Sequence, residues 1–152
     1  MSETRQKEKP STMTSRRPLI LLIVTAHWIV AVGHLFLAAK VLPAPNNHVS
    51  WLAIALINLG HLVVSAAVWW LSNKFAGAIL LIFLLLALSA DLYEHFLHAS
   101  SNNVFTVASG DWTARFDVSV FVLLALEIVG CLLGVLLLIR RARYSGQAKV
   151  AG

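Results

Sequence analysis

Four long hydrophobic runs, separated by short polar stretches, occupy most of the chain between residues 18 and 139. Each run is long enough to cross a bilayer, which takes roughly 20 residues of helix at a rise of about 1.5 Å per residue. The pattern predicts membrane-spanning helices over 18–39, 50–72, 75–98 and 118–139. We therefore expect an all-α integral membrane protein, folded as one four-helix bundle in contact with the lipid bilayer.

Composition and charge agree with membrane insertion and predict an orientation. Hydrophobic residues make up 59% of the chain and charged residues only 12%, about half the charged fraction of a soluble domain. Ten of the 12 Lys and Arg residues lie in the N-terminal tail, the C-terminal tail or the second connection. This positive-inside pattern predicts cytoplasmic termini (N-in/C-in), as for a protein of a bacterial-type inner membrane.

The tails and connections complete the predicted organisation. Residues 1–17 and 140–152 are expected to be disordered basic cytoplasmic tails, and no basic-aromatic pattern suggests a nucleic-acid partner. The second connection, around Asn73 and Lys74, is so short that the second and third helices should be antiparallel neighbours. The third, from 99 to 117, is the longest, and it lies beside a histidine-rich helix end.

That helix end carries four ionisable side chains, Asp91, Glu94, His95 and His98, after an uncharged run from residue 75 to 90. At the helical repeat they fall within an arc of about 100°, on one face of the third helix. Ionisable groups inside a bilayer are costly, so their presence there indicates a functional site.

Each of the other three spans also has a polar stripe on one face. Counting depth from the centre of each predicted span places most of these groups in the outer half of the membrane. We therefore predict one shared site, to which all four helices contribute. Its expected central residues are His34, His61, Asp91, His95 and Glu127, with Asn58, Glu94 and His98 around them or along the approach to them.

Imidazole and carboxylate together are typical of a transition-metal site, with Cu or Fe favoured and Zn as a further choice. The Glu-x-x-His pattern of di-iron bundles is absent, because Glu94 and His95 are adjacent. A mononuclear or copper-like centre is therefore expected, and if it is catalytic the protein would be a membrane oxidoreductase acting on a small or lipophilic substrate.

Three alternatives fit the same residues. Haem b could be held by His61 with His34 or His95. A proton or ion site could use the column of titratable groups that runs from His98 to His27. Finally, the buried polar groups could serve only to fix helix register in a non-catalytic accessory subunit, bound to a membrane-protein partner or to further copies of itself.

Overall fold

The computed structural model describes residues 17–42 and 50–150, apart from the side chains of residues 73 and 140–150. Helix α1 spans Arg17–Val41, α2 spans Trp51–Trp70, α3 spans Asn73–Leu92 and α4 spans Thr113–Val150. A π-helical turn, Tyr93–Leu97, continues α3. Over these ranges the fold is a helical bundle without strands, and four helices are long and apolar enough to cross a membrane. The predicted all-α class is confirmed.

The two largest differences from the predicted helix boundaries are both in α4, and the other boundaries agree to within two residues when the π-helical turn is counted with α3. The helix begins at Thr113 instead of 118, so Arg115 and Asp117 belong to its first turns and not to the loop. The Thr113 hydroxyl donates to the Ala108 carbonyl at 2.8 Å, which fixes the chain as it enters the helix. At the other end α4 runs on to Val150, where a tail from residue 140 was expected. No proline follows residue 139 to stop it. Of the predicted tail 1–17, residues 1–16 lie outside the described residues, and Arg17 is the first residue of α1.

The connection between α2 and α3 is as short as predicted, and it lies where α1 begins. Leu71 and Ser72 are extended and separate the two helices. The Arg17 guanidinium donates to the carbonyl oxygen of Trp69 at 3.0 Å and reaches that of Leu71 at 3.5 Å. A cation that satisfies the last carbonyls of a helix stabilises that end. We call this end of the bundle, which also holds Ile139, the tail end.

The half of the bundle next to the tail end is packed with apolar side chains. Its close helix approach lies between α3 and α4, where an added Cβ at Gly77 would lie 2.9 Å from Leu137 Cβ, and one at Gly134 would lie 2.9 Å from Leu81 Cβ. Only glycine allows the two backbones to come so near. The buried cluster here consists of Ile20, Val24, Val64, Val68, Ala76, Leu80 and Leu84.

The opposite end, which we call the loop end, is covered by the connection from residue 98 to 112. The buried Asn103 orders this loop, since its Nδ2 donates to the His98 carbonyl at 2.9 Å and its Oδ1 accepts from Phe105 N at 2.9 Å. Val104 N donates to the His95 carbonyl at 3.0 Å. The loop is therefore tied directly to the π-helical turn.

Large hydrophobic side chains cover the outside of the bundle. On α2, Trp51 is 81% and Trp70 78% exposed, at opposite ends of the helix. Water-exposed surfaces do not carry such continuous apolar area, and tryptophan prefers the two edges of a bilayer. These apolar faces suggest a lipid environment and a multi-pass membrane protein.

Candidate functional site

The bundle interior contains four histidines and a glutamate between the apolar tail half and the loop. His27, His34, His61 and His95 are each 4–7% exposed, and Glu127 is fully buried. They come from α1, α2, the π-helical turn and α4. Buried polar groups of this kind are costly unless hydrogen-bonded. The hydrogen-bond partners of these five side chains therefore determine the chemistry that is open to the site.

One set of contacts forms an unbroken chain across three helices. His61 Nδ1 lies 2.6 Å from the carbonyl oxygen of Ile57, one turn earlier on α2. His61 Nε2 lies 2.8 Å from His27 Nδ1. The other nitrogen of His27, Nε2, lies 3.2 Å from Glu127 Oε1. Both ring nitrogens of each imidazole are thus in contact with another polar atom. A single histidine on an apolar face does not need contacts at both nitrogens.

Asp91 extends the chain to α3, so that all four helices contribute to it. Its carboxyl group lies next to the Glu127 carboxyl group, and no N–H or hydroxyl group among the described residues meets Glu127 Oε2. Two carboxyl groups can form a hydrogen bond only if one carries a proton. We call the four residues His61, His27, Glu127 and Asp91 the polar chain.

The polar chain has three contacts between its own residues and a fourth to the Ile57 carbonyl, and a proton count follows if each of the four is a hydrogen bond that holds one proton. The proton next to the Ile57 carbonyl must lie on His61, since a carbonyl only accepts. The two imidazoles in their neutral form supply two protons, so the carboxyl groups must supply the other two. The count is the same wherever each proton sits along its contact. With one proton in each contact the polar chain is electrically neutral as a whole, which suits an apolar interior.

Phe83 forms one side of this site. Its ring packs edge-on against both imidazoles, with centroid distances of 5.1 Å to His61 and 6.0 Å to His27. The ring reaches this position because Gly60 lacks a side chain: an added Cβ there would lie 2.6 Å from Phe83 Cε2. The glycine directly before His61 therefore makes room for the Phe83 ring beside the imidazole.

A second pair of histidines, His34 and His95, lies nearer the loop end. Their rings meet edge to face with centroids 4.9 Å apart. His34 Nδ1 lies 2.8 Å from Ser119 Oγ, whose hydroxyl donates to the Phe116 carbonyl. His95 Nδ1 donates to the Asn102 carbonyl at 2.8 Å.

The π-helical turn and Asp91 connect this pair to the polar chain. The wide turn, in which His98 N donates to the Tyr93 carbonyl at 2.7 Å, shifts the register of α3 at His95. Such turns often occur at functional sites. Asp91 lies one helical turn before His95, and its carboxyl is within Coulombic range of both His95 and His27. Titratable groups therefore continue from the middle of the bundle to the loop.

The three residues expected around the site lie further away. Glu94 and His98 face each other at the loop end, with 3.4 Å between Oε2 and Nδ1 and about half of each side chain exposed. Asn58 is exposed on the surface of α2, where its Oδ1 accepts from the indole nitrogen of Trp28 at 2.8 Å. It turns away from the polar chain.

Two residues of the interior were not among the predicted central set, namely His27 and Ser119. His27 lies seven residues before His34, on the same face of α1, and this was the signal for it. Its predicted depth, however, lies on the cytoplasmic side of the midplane, whereas the predicted central residues lie on the outer side. The depth estimate therefore favours His34 over His27. Ser119 gave no signal, because serines are common on helices and only its contact with His34 makes it part of the site.

The proton count of the polar chain does not determine whether the site binds a metal ion. Among the described residues, no group of three or more His, Cys, Asp or Glu side chains is arranged to hold a metal ion. In this arrangement the nitrogens and oxygens of the polar chain bind one another. The metal prediction for His34, His61, Asp91, His95 and Glu127 stays a prediction.

Comparison of the chain with protein-family models, with curated proteins and with solved structures finds no match.

Proposed function

We propose that this chain is an integral membrane protein whose bundle interior binds and exchanges protons, with the polar chain as the binding site. The observation that carries the proposal is the unbroken contact from His61 through His27 and Glu127 to Asp91. Rows of Asp, Glu and His inside membrane spans are typical of proton relays. A neutral chain in which each contact shares one proton can pass a proton on by shifting several protons together.

The two ends of the bundle differ, and the difference supports proton exchange from the loop end only. Toward the tail end the site meets the packed apolar cluster that includes Leu80 and Leu84, both fully buried. Toward the loop end lie further titratable groups, namely His95, which is within Coulombic range of Asp91, and the half-exposed pair of Glu94 and His98. We propose that the termini are cytoplasmic, as the Lys and Arg distribution predicts. The proton site then exchanges with the outer side of the membrane.

A hydrophobic carbodiimide tests the site and its sidedness together. The reagent adds to protonated carboxyl groups in apolar surroundings and leaves a stable acylurea that mass spectrometry can locate. With protein reconstituted in vesicles in one orientation, we expect labelling of Glu127 or Asp91. Labelling should fall when the pH on the loop side is raised, because protons then leave the site.

The Glu94→Gln variant is the matched control, since it removes an exposed carboxyl at the loop end and should leave the interior labelling unchanged. Glu127→Gln should abolish labelling at residue 127. Labelling that follows the pH on the tail side, or no labelling at Glu127 or Asp91, would contradict the proposal.

A transition-metal ion is the second candidate ligand. The observation in its favour is that no N–H or hydroxyl group of the described residues donates to the buried Glu127 Oε2, so that this oxygen could bind a cation in place of a proton shared with Asp91. A divalent ion would replace the two extra protons of the polar chain and leave its net charge unchanged, although side chains would have to turn outward from one another to reach it. Cu or Fe would support redox chemistry at this position, and Zn would not.

Elemental analysis of protein purified in mild detergent tests this candidate. A bound metal should appear at near-integral stoichiometry, and adding it to metal-free protein should release two protons per ion. The same preparation tests haem b through its Soret band, and a non-catalytic accessory role through co-purification of a partner. Metal-free protein that takes up no added ion excludes the second candidate.

A further inference from the structure

The polar surface pair of Trp28 and Asn58 plays no part in the proton site, and it lies where a polar group is least expected. Asn58 is near the middle of the 20-residue α2, with its side chain exposed. Its Nδ2 donates to the Ile54 carbonyl at 2.7 Å, and its Oδ1 accepts from Trp28 at 2.8 Å. A carboxamide has two donor hydrogens and two acceptor positions. One of each therefore remains available at this surface.

The residues above and below Asn58 form a continuous seam along α2. They recur at alternating steps of four and three, the spacing at which two helices pack side by side over their whole length. All are exposed except Ser65, which is half-buried. The seam consists of Trp51, Ala55, Asn58, Leu62, Ser65 and Trp69.

We infer that this seam is a dimer interface, and that its occupant is the same seam of a second copy of the chain. Two copies inserted with the same topology have parallel α2 helices, so that a two-fold axis along the membrane normal brings each seam residue to its own counterpart. The free donor and acceptor of Asn58 are self-complementary, and the two carboxamides can bond reciprocally. The small side chains of Ala55 and Ser65 allow the helices to approach on either side of that contact.

Energy transfer between donor- and acceptor-labelled protein in phosphatidylethanolamine/phosphatidylglycerol vesicles tests the dimer. On dilution with lipid, we expect the Asn58→Leu variant to dissociate at about a tenfold higher protein density than wild type. Trp28→Phe removes only the internal bond to Asn58 and should dissociate as wild type does. Equal dissociation of wild type and Asn58→Leu, or equal weakening by Trp28→Phe, would overturn the inference. So would a wild type that stays monomeric when pure, which would assign the seam to lipid or to a different protein.

Disulfide crosslinking provides a readout that leaves Asn58 intact. In a Cys131→Ser background, Ala55→Cys and Leu62→Cys lie on the seam and should crosslink rapidly to their counterparts. Leu56→Cys lies on the far side of the same helix, at a 60% exposed position, and is the matched control. Crosslinking of Leu56→Cys at the same rate as the seam positions would also contradict the interface.

Discussion

At the scale of single residues, the protonation of Glu127 decides how the site works. The residue is fully buried and lies between His27 Nε2 and the Asp91 carboxyl group. A protonated Glu127 can donate to His27 and accept from Asp91 at the same time. Glutamine has the same shape and can donate through its amide nitrogen while it accepts through its oxygen. It is therefore a close substitute for the protonated acid and a poor one for a carboxylate paired with an imidazolium.

This difference predicts the effect of two substitutions on thermal stability in detergent. Glu127→Leu leaves His27 Nε2 buried without a partner and should destabilise the protein by about 1–3 kcal/mol. Glu127→Gln should lower the free energy of unfolding by less than half of that amount. Equal losses for the two variants would mean that the native contact is an ion pair and not a bond from a neutral acid.

At the scale of helices, the close approach of α3 and α4 holds the apolar half together. A methyl group at Gly134 would press on Leu81 Cβ at 2.9 Å and on the Gly77 carbonyl oxygen at 3.1 Å, and backbone atoms cannot turn aside. We expect Gly134→Ala to lower stability by about 1–3 kcal/mol through this overpacking, as measured by thermal unfolding in detergent.

Gly33→Ala is the matched control for that prediction. An added Cβ at Gly33 meets no atom within 4 Å, and alanine favours the helix over glycine. The variant should therefore be neutral or slightly more stable than wild type. If both glycine variants behave alike, steric contact between α3 and α4 does not set the packing.

Helices were more predictable from the sequence than the contacts between them. Hydropathy located all four, because a continuous apolar run of about 20 residues is a strong signal. The start of α4 was missed by five residues, since the polar stretch of Arg115 and Asp117 resembles a loop although it forms helical turns. The contact between Glu127 and His27 could not be predicted, because the depth of a residue in its span is known only roughly from the sequence. An error of one turn in depth is about 5.4 Å, enough to exchange His27 for His34.

At the scale of the whole molecule, proton exchange with the outer side requires the loop end of the bundle to face outward. Ser101 at the loop end and Ser72 at the tail end are both exposed serines, and so they form a matched pair for cysteine labelling. In a Cys131→Ser background, a membrane-impermeant thiol reagent added to intact cells should label Ser101→Cys and not Ser72→Cys. The reverse pattern would place the proton site on the cytoplasmic side.

The most direct test of the proton-binding site is the infrared C=O stretch of protonated carboxylic acids in the reconstituted protein at neutral pH. The contact between Glu127 and Asp91 requires at least one protonated carboxyl group, wherever the other protons of the polar chain lie. Wild type should therefore show this band, and Glu127→Gln and Asp91→Asn should each shift or remove part of it, whereas Glu94→Gln should leave it unchanged. A spectrum without the band, or a band that neither Glu127→Gln nor Asp91→Asn alters, would contradict the proposed proton site.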